Sequence, residues 1–84
     1  MFIVYVLYSA KFDKTYTGHT HDLPARFRSH NTLATKGFTA RYRPWKIVYT
    51  EELPSKAEAI KRERQLKTGK GREFLKAMIR KKYP

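Results

Sequence analysis

The residues that bear chemistry in this sequence sit where apolar ones are expected. At about 100° per residue, a helix opening at Leu23 puts Phe27 at about 40°, Arg26 at about 300° and His30 at about 340°. Arg26 and His30 therefore share the apolar side, while Arg28, at about 140°, points away. A guanidinium there either snorkels at the core edge or offers its fork to an anion such as a phosphate. His30 either offsets a helix dipole or, with a near-neutral pKa, takes part in proton transfer. On a later helix counted from Ala57, Ile60 falls at about 300°, Ala59 at about 200° and Leu66 at about 180°, with Glu63 among them at about 240°. An ionised carboxylate aimed into an apolar arc costs several kcal/mol unless a cation meets it. The cation is either a neighbouring Lys or Arg or a hard metal, Mg²⁺ or Mn²⁺. Two tyrosines, Tyr5 and Tyr16, complete the set, because paired strands bring their phenols near each other.

These side chains need elements to hold them. Phe2–Tyr8, an apolar run of seven residues, reads as a buried strand with Ile3, Tyr5 and Leu7 on one face and Phe2, Val4, Val6 and Tyr8 on the other. Ser9–Lys14 is a turn, and residues 15–18 form a hairpin partner. Asp22 caps a helix that has Pro24 in its first turn and runs to about Asn31. Thr32–Tyr42 reads as a loop and residues 45–50 as a third strand. Ser55 with Glu58 is a capping box opening a helix to about Lys67, residues 68–71 break it, and Arg72–Lys81 is a last helix. The order β-β-α-β-α-α predicts an α+β fold: one domain over residues 1–84, with a three-stranded, mostly antiparallel sheet flanked by helices.

Composition narrows the class. Nineteen Lys and Arg against seven Asp and Glu give +12, and the sequence has no cysteine, which excludes disulfides and thiolate metal sites. Residues 1–42 contribute +4 and residues 43–84 contribute +8. The excess favours a polyanion, nucleic acid first. The basic stretch Lys61, Arg62, Arg64, Lys67, Lys70 and Arg72 either tracks a phosphate backbone or is a solvated face. Nothing in it reads base edges. The apolar run is too short for a membrane helix and lacks a basic segment before it, so a cytoplasmic protein, a monomer with no membrane partner, is expected. His19 and His21 have the look of transition-metal ligands but are expected to be incidental.

Taken in order, Val4-Tyr5, Tyr16-Thr17-Gly18, Asp22-Leu23-x-x-Arg26-x-x-x-His30 and Glu63 within Arg62–Lys67 resemble the GIY-YIG nuclease superfamily, especially its small stand-alone bacterial members. The third-strand region Phe38–Tyr49 is similar too, so the resemblance spans essentially the whole chain. Ile3-Val4-Tyr5 replaces the first motif's Gly-Ile-Tyr, Thr17 replaces the isoleucine of the second, and no asparagine follows Glu63. The resemblance implies a metal-dependent endonuclease acting on DNA, of the kind that serves DNA repair. Tyr5 would then be the base for water, Tyr16, Arg26 and His30 its catalytic partners, and Glu63 the ligand of a divalent Mg²⁺ or Mn²⁺. Two alternatives stay open: the same fold kept as a catalytically weak or inactive nucleic-acid-binding module, and a ribosome-associated basic protein that binds RNA by charge.

Overall fold

The computed structural model describes residues 1–33 and 37–83. Strands β1 (Phe2–Ser9), β2 (Lys14–Thr20) and β3 (Lys46–Leu53) form one antiparallel sheet in the order β2-β1-β3. The central strand is covered on both faces, and this is why its sequence is a continuous apolar run rather than an alternating one. Val4, Val6 and Tyr8 pack beneath α3 (Lys56–Leu66) and α4 (Gly69–Lys82), against Ala59, Leu66, Leu75 and Ile79. Tyr5 and Leu7 pack on the opposite face with Trp45 and the half-buried Leu23, Phe27, Tyr16 and Tyr42. The alternation expected for β1 is thus the division between two small cores. A bulge between Val6 and Leu7 shifts the register against β3.

The predicted caps are present. Asp22 accepts from the Ala25 amide at 3.2 Å and Ser55 from the Glu58 amide at 3.2 Å. The predicted ends are less accurate. α1 covers only Leu23–Arg28, after which the chain loosens into a π-helical turn, Ser29–Leu33. Two tertiary ties account for the change. The Arg43 Nε–H donates to the His30 carbonyl at 2.8 Å, and Asn31 exchanges hydrogen bonds with the Trp45 backbone, accepting at 2.7 Å and donating at 3.1 Å. Within the segment expected as a loop, a further short helix, α2 (Phe38–Arg41), is present, and its Thr39 carbonyl accepts the Trp45 indole N–H at 2.7 Å. Residues 34–36 of that loop lie outside the described residues. The expected break at residues 68–71 narrows to Thr68, which accepts from the Gly71 amide and starts α4 three residues earlier than predicted. No helix among the described residues is long and apolar enough to cross a membrane.

Candidate active site

The hairpin register puts Tyr5 opposite Gly18 and Leu7 opposite Tyr16, so the two tyrosines are diagonal neighbours on one face. Their ring centroids are 6.2 Å apart. Gly18 is what allows this. A Cβ there would lie 2.8 Å from the Tyr5 hydroxyl and 3.1 Å from the Tyr16 ring, so the phenols rest over bare backbone. Between them comes His30, its ring centroid 4.8 Å from that of Tyr16 and 5.8 Å from that of Tyr5. Tyr5 is 1% exposed and His30 5%. The Tyr5 oxygen and His30 Nε2 are hydrogen-bonded at 2.8 Å.

Arg26, exposed on α1, aims its guanidinium at both phenols, whose hydrogen bonds favour its charged form. With its proton on Nδ1, a neutral His30 accepts the Tyr5 hydroxyl at Nε2, and the Tyr5 oxygen keeps a lone pair facing Arg26. Burial pushes the Tyr5 phenol up to about 12 despite the hydrogen bond from Arg26. Burial, reinforced by the charges of Arg26 and Arg43, pushes His30 below its ordinary value and keeps the imidazole neutral at pH 7. A neutral acceptor thus stands behind a buried phenol, with a fixed cation in front of it.

Glu63 arrives differently. It is carried by α3, which covers the Val4 face, and it meets His19, the residue opposite Val4 on the edge strand β2. His19 Nδ1 donates to Glu63 Oε1 at 2.7 Å and Lys67 Nζ to Oε2 at 2.8 Å. Burial raises the Glu63 pKa, but these two donors outweigh it and hold the carboxylate below its ordinary value. Tyr5, Tyr16, Arg26 and His30 share a face, while Glu63 stands across β2, near enough for its charge to act on the Tyr5 phenol. The helical arc of Glu63 was legible in the sequence, but its partner His19 was not. Strand alternation places His19 on the face opposite Gly18, but only the tertiary packing of α3 shows what it meets there.

The donor set fits one kind of metal. Among the described residues no three His, Cys, Asp or Glu gather into a cage. A single ionised carboxylate that is 19% exposed suits Mg²⁺, which keeps most of its waters and takes one or two protein oxygens. Lys67, itself 51% exposed, holds that carboxylate only through a surface ion pair worth about 0–1 kcal/mol, so a dication can displace it. In the basic stretch, Lys61, Arg64, Lys70 and Arg72 are exposed. Arg62 is occupied elsewhere: its Nε–H donates to Glu51 at 2.8 Å, tying α3 to β3, which takes it out of the set facing solvent.

In this α+β fold a three-stranded antiparallel sheet presents two tyrosines, an arginine and a histidine over a glycine, with a glutamate across the edge strand. The profile of the GIY-YIG catalytic domain matches residues 1–76, and the chain belongs to that family of nucleases. It is 37% identical over 73 residues to a UPF0213 protein of Staphylococcus haemolyticus, covering 87% of this chain and 88% of the relative. With a UPF0213 protein of Staphylococcus epidermidis it shares 39% over 61 residues, 73% of this chain and 74% of the other. The solution NMR structure of a UPF0213 protein from Bacillus halodurans superposes with a TM-score of 0.53 at 31% identity, over 93% of this chain and 85% of that one.

Proposed function

We propose that the protein is a metal-dependent endonuclease that hydrolyses phosphodiester bonds in DNA. The observation that carries this is the hydrogen bond of 2.8 Å between the buried Tyr5 hydroxyl and His30 Nε2, with Arg26 facing both phenols. A phenol with a pKa of about 12 is almost never a free phenolate at neutral pH, so Tyr5 alone is a poor base. As a relay it needs no standing phenolate. The attacking water gives a proton to the Tyr5 oxygen as Tyr5 passes its own proton to His30 Nε2. The resulting hydroxide forms the new bond to phosphorus, the bond to the leaving sugar oxygen breaks with its electron pair going to that oxygen, and the oxygen takes a proton from solvent water. Arg26 donates through its fork to the phosphate oxygens as their charge grows, and Tyr16 orients the same group. Glu63, steadied by His19, would hold one Mg²⁺ or Mn²⁺, which when bound supplies Lewis-acid stabilisation to the phosphate.

The test is a cleavage assay over single-stranded, branched and duplex DNA with Mg²⁺ or Mn²⁺. Cleavage is expected to vanish with chelator and in Glu63→Gln. Cleavage that survives both would remove the metal role of Glu63. A second reading has one observation in its favour: both Glu63 oxygens already carry donors, as they would in a fold kept for binding. Salt-sensitive DNA binding with no turnover under any metal would establish that reading instead.

A further inference from the structure

A cleft lies away from Tyr5 and His30. It encloses about 540 Å³ between α4 and the β1–β2 hairpin, with Tyr8, Arg80 and Tyr83 at its outer end. A second cleft of about 280 Å³ opens beside Tyr16 and Lys67. The two share Thr15, Arg72 and Leu75, so they adjoin as a trough that runs from beside Tyr16, round the β2 edge, along α4. Arg72, Lys76 and Arg80 follow one another at intervals of four residues along this wall. That spacing gives a step of about 6 Å along the axis, comparable with the step between phosphates in an extended strand. None of the three has an ion-pair partner among the described residues, and all are exposed. The floor is apolar, formed by Leu75 and Ile79. One acid lines the trough, Asp13, and its Oδ1 already accepts the Tyr8 hydroxyl at 2.9 Å.

We infer that this trough binds the single strand of DNA flanking the scissile phosphate, with Arg72, Lys76 and Arg80 tracking its backbone. The inference rests on the nuclease reading above for the identity of the polyanion. Clefts of about 300–1,000 Å³ take groups the size of small ligands, which suits individual nucleotides of a single strand better than a duplex. The half-buried Tyr83 ring, 5.0 Å from that of Tyr8, stands at the far end, where a base can stack. This path departs from the one drawn from sequence. Of the six basic residues singled out there, only Lys67 and Arg72 line the trough, whereas Lys76 and Arg80 were not among the six.

The experiment is fluorescence anisotropy with a short labelled oligothymidylate, in chelator so that cleavage does not enter, across a potassium chloride series. The double variant Lys76→Gln/Arg80→Gln is expected to bind about tenfold more weakly, and its slope of log K against log salt should be shallower by about 1.4, two single-strand phosphates' worth. Lys61→Gln/Arg64→Gln removes the same charge from exposed positions on α3 and is expected to stay within about twofold of wild type. All four positions are exposed, so unchanged melting temperatures are expected and are measured alongside. Equal losses in both double variants would reduce the effect to bulk charge and overturn the trough, as would wild-type affinity in Lys76→Gln/Arg80→Gln or no binding by the wild type. The two readings fail separately. A protein that loses binding only in the trough variant yet never cleaves DNA keeps the trough and loses the nuclease. One that cleaves while the trough variant binds normally does the reverse.

Discussion

Arg26 shows what a single side chain contributes. If it only snorkelled, lysine would replace it with little loss. Its guanidinium instead faces two phenols and open solvent, where a phosphate would arrive, and a point charge cannot reproduce the fork. Arg26→Lys is therefore expected to melt within a few degrees of wild type yet cleave DNA at least about 100-fold more slowly, the cost of losing one transition-state donor. Wild-type turnover in that variant would take Arg26 out of the site. His30 gives a pH test. Its folded pKa lies below the ordinary 6.5, so the unfolded chain binds more protons in that window. The stability His30 contributes is complete above about pH 6.5 and falls as pH drops toward the depressed folded value. Urea midpoints at pH 7.5 and 5 are expected to converge in His30→Gln relative to wild type, and an unchanged gap between them would contradict this. The face shared by Arg26 and His30 was readable because helical angle needs only sequence. The depth of His30 was not, because it depends on Arg43 and Trp45 tying down a π-helical turn from more than ten residues away.

The elements repeat this division between local and distant causes. Strand β1, the two N-caps and the antiparallel order were legible, since each is fixed by a short run of residues. The end of α1 and the start of α4 were not. At α4 the reason is a close approach of two backbones. A Cβ on Gly71 would lie 2.3 Å from the Gln65 carbonyl oxygen and 2.5 Å from the Leu66 Cα, whereas one on Gly69 would meet nothing within 4 Å. Glycine pairs suggest a break, but here they let α4 begin directly against the end of α3. Gly71→Ala is expected to destabilise by about 1–3 kcal/mol through forced separation of the helices. Gly69→Ala should be neutral or stabilise by up to about 1 kcal/mol, since it reduces the freedom of the unfolded chain. Denaturant midpoints of the two variants check the pair. Similar shifts in both would mean that α3 and α4 are not held at this contact.

For the whole molecule, charge governs encounter. With +12 on 84 residues, nucleic-acid binding is expected to weaken steeply with salt. Contact with about six phosphates gives a slope of log K against log salt near −5 on duplex DNA and near −4 on a single strand. Titrations at several salt concentrations measure it, and an affinity flat from low to physiological salt would contradict an electrostatic partner. The same charge has a second consequence, which begins from the strand order. Among the described residues, β2 and β3 each have one side with no strand beside it. Such edges invite pairing between copies. Lys14 and Lys46 place a cation on each of these strands, and mutual repulsion does the rest at low ionic strength. The screening length shrinks from about 10 Å at 0.1 M salt to about 3 Å at 1 M. A wash strong enough to strip off a polyanion thus removes the force that keeps copies apart, and light scattering from the bare protein should climb as its nucleic acid leaves. For this chain, purity and colloidal stability call for opposite buffers.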